Sequence, residues 1–326
     1  MDKNVLAIIL AGGAGERLQP LTQFRAKPSV PFGGKYRIID FTLSNCLHSG
    51  LRRILVLTQY KSHSLHKHLR DGWSVFNPEL QEYVTPVPAQ KINGDNWYQG
   101  TADAIYQNEY LIKRSNAEWT IILSGDHIYR MDYASILKTH QALNADATIA
   151  CMKVPIELAN QFGIVTADAG QKITEFQEKP DITEGCSDDK NFALASMGIY
   201  IFSTKLLIDI LEKDSQDENS SHDFGKDILP SLIDNNKLFA HYFGESEGRV
   251  SPDNYWRDVG TIDSFYQANM DLLDPVPSMD LYQKDWPIRS YQSQTPPARA
   301  VPGSSGTEGV FINSMLSGGT VISGGN

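Results

Sequence analysis

The residues best suited to chemistry stand at the start of the chain. The apolar run Val5–Ala11 opens into Gly12-Gly13-Ala14-Gly15-Glu16-Arg17-Leu18, and Arg25-Ala26-Lys27-Pro28 follows. Glycines let a turn approach an anion closely, with its free N–H groups aimed at it. Arg17 and Lys27 add the charge a polyphosphate needs. The pattern reads as a nucleotide site of an uncommon spelling. No Gly-Lys-Ser/Thr completes a Walker A loop, and Leu18 stands where a dinucleotide fingerprint needs a third Gly or Ala.

Further along, Asp126 follows an apolar run and Ser124-Gly125, a setting that suits a hard cation gripping phosphate. Asp258, between Trp256-Arg257 and Val259-Gly260, is a second such carboxylate that only the fold could bring near. The charged pair Glu178-Lys179 precedes Pro180 and on its own reads as a turn. Ser221-His-Asp-Phe-Gly-Lys226 reads as a helix cap. His63, His66 and His68 have no carboxylate at metal spacing and read as a solvated helix face.

The elements that must position these groups alternate. Strand-like runs cover Val5–Leu10, Arg53–Thr58, Trp119–Leu123, Thr148–Lys153 and Gly198–Phe202. Helix-like stretches cover Arg37–Gly50, Ser62–Asp71, Ala102–Lys113 and Tyr133–Asn144. This predicts an α/β fold, a Rossmann-like and mostly parallel sheet covered on both faces. Such sheets bind ligands at the carboxyl ends of their strands, where the glycine turn and Asp126 both fall.

The 326 residues suit one large α/β domain plus an extension. Hydrophobic content of 41% and charged content of 21% are ordinary for a globular chain. No apolar run approaches the ~18 residues of a membrane span, and the early strand leaves no room for a leader peptide. Three cysteines, Cys46, Cys151 and Cys186, lack paired spacing; the expectation is the reducing cytoplasm and no thiolate metal site. A net charge of −10 argues against a nucleic-acid partner. Residues 1–53 nevertheless hold eight Lys/Arg against three acids, as a small polyanion would require.

Taken together, the glycine turn with Lys27-Pro28, Asn96-Trp-Tyr-Gln-Gly-Thr-Ala-Asp-Ala104, Ser124–Tyr129, Glu175–Pro180, Ala195–Tyr200, Ser221–Lys226 and Tyr255–Gly260 resemble the bacterial ADP-glucose pyrophosphorylases. These belong to the sugar-phosphate nucleotidyltransferases, and the resemblance covers essentially the whole chain. It implies nucleotidyl transfer from ATP to α-D-glucose 1-phosphate, with Mg²⁺ as cofactor and pyrophosphate leaving. It assigns Arg17, Lys27 and Asp126 to catalysis and Asp126 with Asp258 to the metal. Leu10, Ala11, Gly12, Gly13, Gly15, Gln59, Gly100 and Thr101 would hold the nucleotide. Tyr98, Gly163, Glu178, Lys179 and Ser196 would hold glucose 1-phosphate.

The resemblance also divides the chain into a catalytic domain (1–274), a linker (275–307) and the first coil of a left-handed parallel β-helix (308–326). The linker holds six of the sixteen prolines. One coil cannot bury its own faces, so the expectation is a truncated chain in a family of homotetramers. Anionic effectors would fall on Arg25, Arg37 and Arg114. Phe24 and Pro31 stand where sugar-bisphosphate-activated members carry Lys and His, which implies a weak response to fructose 1,6-bisphosphate. Two alternatives stay open: an enzyme of the same fold using UTP or dTTP, and a non-catalytic regulatory subunit.

Overall fold

The structure, a computed structural model, describes residues 4–90, 97–183, 185–186, 189–244, 250, 254–304 and 306–324. Asp2, Lys3 and Asn96 lie outside the described residues. The strands of the first half are β1 (Val5–Ala11), β2 (Pro31–Phe32), β3 (Tyr36–Arg37), β4 (Arg53–Thr58), β5 (Tyr83–Pro88), β6 (Trp119–Ser124) and β7 (His127–Tyr129). Those of the second half are β8 (Ala147–Pro155), β9 (Gly163–Ala167), β10 (Ile173–Glu178), β11 (Phe192–Ser203), β12 (Leu238–Tyr242), β13 (Trp256–Asp258), β14 (Arg299–Val301) and β15 (Val321–Ser323).

The central sheet runs β10-β9-β11-β6-β1-β4-β5, with β8 paired to β11 and β12. The stretch β6-β1-β4-β5 is parallel, as the alternation predicts. β12 also runs parallel to β8. β11 instead lies antiparallel to β6, β8 and β9. It is the seam between two halves, and its register slips between Ser196 and Tyr200. β5 holds the outer edge, where Pro86 and Pro88, lacking N–H donors, do least harm to a ladder.

β1 explains why both faces must be covered. Leu6 and Ile8 enter one apolar cluster, while Val5, Ala7, Ile9 and Ala11 enter another on the opposite face. A strand buried on both sides reads as a continuous apolar run. Each large aliphatic so buried is worth about 1.5–3 kcal/mol.

Three predicted elements differ from the structure. After α1 (Ile39–His48) and α2 (His63–Trp73), the helix expected over Ala102–Lys113 is two, α3 (Thr101–Tyr106) and α4 (Glu109–Ser115). The Asn108 amide donates to the Ala104 carbonyl at 2.8 Å, taking the place of an i−4 backbone bond. Of the histidines of the Ser62–Asp71 helix, His63 is exposed, but His66 and His68 are not on a solvated face. His68 is buried with its Nε2 2.6 Å from Asp40 Oδ1, and His66 Nε2 lies 2.8 Å from Thr58 Oγ1. The segment expected as a linker, 275–307, is packed against the domain over its first part. Met279, Trp286 and Ile288 are buried, and Ser290 Oγ donates to Asp40 Oδ2 at 2.7 Å. Trp286 Nε1 donates to Asn45 Oδ1 at 2.9 Å, so the segment is strapped along the helix Ile39–His48. Within it, β14 pairs in parallel with β15, Arg299 opposite Val321. Among the described residues no helix is long and apolar enough to cross a membrane.

Candidate active site

β7 runs antiparallel to β13 with Asp258 opposite His127. That pairing sets Asp126 and Asp258 side by side. Between them lies the Lys27 ammonium, 2.8 Å from Asp126 Oδ2 and 2.8 Å from Asp258 Oδ1. Lys27 opens a short turn, Lys27–Ser29, whose φ is fixed in part by Pro28. Burial works against its charge, but the flanking carboxylates outweigh this and raise the Lys27 pKa. Burial likewise opposes the charge on Asp126, yet Lys27 and His127 hold its carboxyl well below the usual range. Ser124 Oγ also donates to Asp126.

The glycine turn folds over this ion cluster. Gly15 has φ 65°, a left-handed conformation that costs glycine little, and a Cβ there would come within 3.2 Å of the Lys27 Cβ. Its carbonyl accepts the Thr22 hydroxyl at 2.7 Å. The Arg17 guanidinium lies close to Gly260, beside Asp258. A cavity of about 710 Å³ opens above, in the size range of ligand pockets. Leu10, Ala11, Gly12, Gly13, Gly15, Arg17, Lys27, Gln59, Gly100, Thr101 and Asp126 all line it. So does Tyr98, which the sequence analysis placed with the sugar phosphate. Its hydroxyl accepts the Asn108 amide at 2.8 Å.

Gly163, Glu178, Lys179 and Ser196 form a second group on the antiparallel half. Glu178 pairs with Gly163 across β9 and β10, and Ser196 sits where the register of β11 slips. Lys179 leaves β10 in a left-handed turn, φ 49°, with Nζ 3.4 Å from Glu178 Oε1. Asp223 joins the two groups. It lines the cavity, accepts the Thr101 hydroxyl at 2.9 Å, and precedes Phe224, which stacks on Tyr200 at 5.8 Å.

The anionic-effector set is only partly assembled. Arg25 lies close enough to Arg37 to help lower the latter's pKa, after burial, and Arg37 donates to the Ser29 carbonyl at 2.9 Å. Arg114 lies elsewhere in this chain. The end of α4 touches Arg53, at the amino end of β4, through Ser115, whereas Ser29 meets Ser64 just beyond the carboxyl end of β4.

Reasoning from sequence missed Asp223 and His127. Asp223 was legible only as a cap, and it does cap Gly225 and Lys226. His127 is adjacent to Asp126, the one signal available for it. Its Nε2 lies 3.5 Å from Asp126 Oδ1 and 4.0 Å from Asp258 Oδ1, with the ring held edge-on to Trp256.

A model of the nucleotidyl transferase family matches residues 6–275, spanning the whole of this site. The chain belongs to the nucleotidyl transferase family. It is 61% identical over 324 residues to glucose-1-phosphate adenylyltransferase 2 of Vibrio vulnificus strain YJ016, covering 99% of this chain and 80% of that relative. Proteins of the same name from Vibrio cholerae and Vibrio parahaemolyticus are 60% and 59% identical over the same shares. A phosphoryl centre under attack needs charge neutralisation and alignment more than covalent help.

Proposed function

We propose that the chain is a glucose-1-phosphate adenylyltransferase: ATP and α-D-glucose 1-phosphate give ADP-glucose, for glycogen synthesis, and pyrophosphate. The observation that carries this is the Lys27 ammonium bridging Asp126 and Asp258 on the floor of a cavity walled by a glycine turn, in a chain with adenylyltransferase relatives at 61% identity. The sugar phosphate oxygen attacks the α-phosphorus in line. It is already ionised at neutral pH, so no general base is needed. Arg17 and Lys27 face the polyphosphate and offset the charge that builds on the leaving pyrophosphate. Gln59 and the Gly100-Thr101 turn flank the base. Lys179 receives the phosphate of glucose 1-phosphate and Glu178 accepts from the sugar hydroxyls, with Gly163, Ser196 and Tyr98 around them.

The paired carboxylates fit a hard divalent cation. Asp126, His127 and Asp258 offer ligand atoms within 4.8 Å of one another, and two carboxylate oxygens converge on one positive charge. Asp126 and Asp258 would hold Mg²⁺, which supplies phosphate binding and charge neutralisation. Arg25 and Arg37 form the core of an anionic-effector site; Phe24, 81% exposed beside them, offers no charge. Response to fructose 1,6-bisphosphate is accordingly weak. β15 lies in the 308–326 segment read as the first coil of a β-helix, its parallel pairing with β14 at the end of the linker fits such a coil, and the assembly is a homotetramer in the cytoplasm.

The test is pyrophosphate release from glucose 1-phosphate with Mg²⁺, run with ATP and with UTP. Release with ATP supports the proposal. Preference for UTP overturns the choice of base, and silence with both overturns the activity.

A further inference from the structure

We propose that His222 is a positioning residue: it fixes the turn that receives the nucleotide and links that turn to the sugar-phosphate side. The inference deepens the proposed reaction and rests on it for the identity of the ligand.

His222 has φ 54°, a left-handed conformation uncommon for a residue with a side chain. Two anchors impose it. Its N–H donates to Ser220 Oγ at 2.9 Å, and its ring Nδ1 donates to Asp214 Oδ2 at 2.8 Å. The same Asp214 carboxylate accepts Ser220 Oγ at 2.6 Å. Asp214 is the last residue of the helix Thr204–Asp214, so the loop is tied to a regular element that packs on the sheet.

The imposed conformation aims the His222 carbonyl at the start of α3, where it accepts the Ala102 N–H at 2.8 Å. Contact is close enough that a Cβ on Gly100 would collide with the carbonyl oxygens of Ser221 and His222. Next in the chain, Asp223 accepts the Thr101 hydroxyl at 2.9 Å, and the Phe224 N–H donates back to that hydroxyl at 3.0 Å. Residues 221–224 thus grip Gly100-Thr101 through several atoms. One residue on, Gly225 packs against Glu178; a Cβ there would meet Oε2 at 2.5 Å. A single short segment therefore touches the nucleotide turn on one side and the sugar-phosphate group on the other. His222 does not itself line the nucleotide cavity, so it acts through the backbone it orients.

Three variants separate this role from bulk stability. In His222→Asn, Nδ2 replaces Nδ1 at the same position along the side chain, and Asn tolerates the left-handed region. His222→Ala removes the anchor and keeps the conformational penalty. Asp214→Ala removes the anchor from the other end. Binding of α,β-methylene-ATP by titration is measured beside KM for ATP, KM for glucose 1-phosphate, kcat and the melting temperature. His222→Ala and Asp214→Ala are expected to weaken analogue binding and raise KM for ATP about tenfold, with kcat within about threefold of native, a loss of ground-state binding. His222→Asn is expected to stay within about twofold of native. A folded His222→Ala that binds the analogue as the native chain does overturns the inference. So does His222→Asn as impaired as His222→Ala. If His222→Ala does not fold, Asp214→Ala decides on the same readouts. A native chain that binds the analogue but forms no ADP-glucose sinks the proposed reaction, while the analogue still reads the role of His222.

Discussion

Two lysines of the proposed site stand in opposite settings. Lys27 is 8% exposed in its side chain and held between two carboxylates at 2.8 Å each. Lys179 is 60% exposed, with one loose partner, Glu178, at 3.4 Å. The first sits beyond the carboxyl ends of the parallel strands β1, β4 and β6, where a separate antiparallel pair, β7 and β13, sets the aspartates side by side. The second leaves the antiparallel half in a left-handed turn. The contrast separates preorganised charge from adaptable charge. Groups that stabilise a transition state act best when fixed before the reaction, in a site screened from water. A group that greets an incoming phosphate acts from the surface.

The comparison breaks most visibly at Lys27. Lys27→Gln should lower kcat by about 10²–10³, the range for losing one fixed charge or donor, with KM for glucose 1-phosphate changed only a few-fold. It also leaves Asp126 and Asp258 facing each other, so the variant should melt lower. Steady-state kinetics with each substrate varied in turn checks this. A variant that loses affinity for glucose 1-phosphate and keeps kcat would put Lys27 in the role assigned to Lys179.

A second difference is acid sensitivity in the antiparallel half. His140 Nδ1 lies 2.9 Å from Thr148 Oγ1 on β8, and His241 Nδ1, on β12, lies 2.9 Å from Thr139 Oγ1. Burial pulls both rings down to about 4 from an ordinary 6.5. Both are neutral when folded, so as pH falls through 6.5 the unfolded chain takes up protons that the folded chain refuses. Stability is full above that pH, declines between 6.5 and 4, and levels off below. The loss should approach about 3 kcal/mol per histidine. Denaturant unfolding at stepped pH should show the slope, and His140→Gln should flatten part of it. An unchanged slope would remove His140 from the account.

The smallest effect falls on Lys179. Lys179→Gln should raise KM for glucose 1-phosphate about tenfold and leave kcat within a few-fold, as loss of a ground-state contact does. KM for ATP should stay as it is. A fall in kcat as large as that of Lys27→Gln would erase the distinction between the two lysines.

What the sequence made legible was local. The apolar run before Gly12 announced β1, and the spacing of Gly15, Arg17 and Lys27 announced a cation-bearing turn at its end, which lines the cavity, because strand, turn and cation are contiguous. Asp126 was legible as a carboxylate at a strand end. Its meeting with Asp258 depends on β7 and β13, three residues each, too short to leave a period. The antiparallel course of β11 was hidden for another reason: a strand buried on both faces reads alike in either direction. His68 looked exposed on a polar helix because its partner, Asp40, lies on a different helix. The proline-rich segment looked free because Trp286 and Ile288 are isolated apolar residues whose docking surface is far off in sequence. His222 carries no mark of its left-handed backbone at all.

The central claim is that Lys27, Asp126 and Asp258 form an adenylyl-transfer site. ADP-glucose formation from glucose 1-phosphate and Mg²⁺, with ATP against UTP and with native chain against Asp126→Asn, tests it most directly. The account predicts product with ATP and a fall of roughly 10³ in the variant, at the upper end for loss of one electrostatic group. Equal rates for the native chain and Asp126→Asn, or product from UTP in preference to ATP, would contradict it.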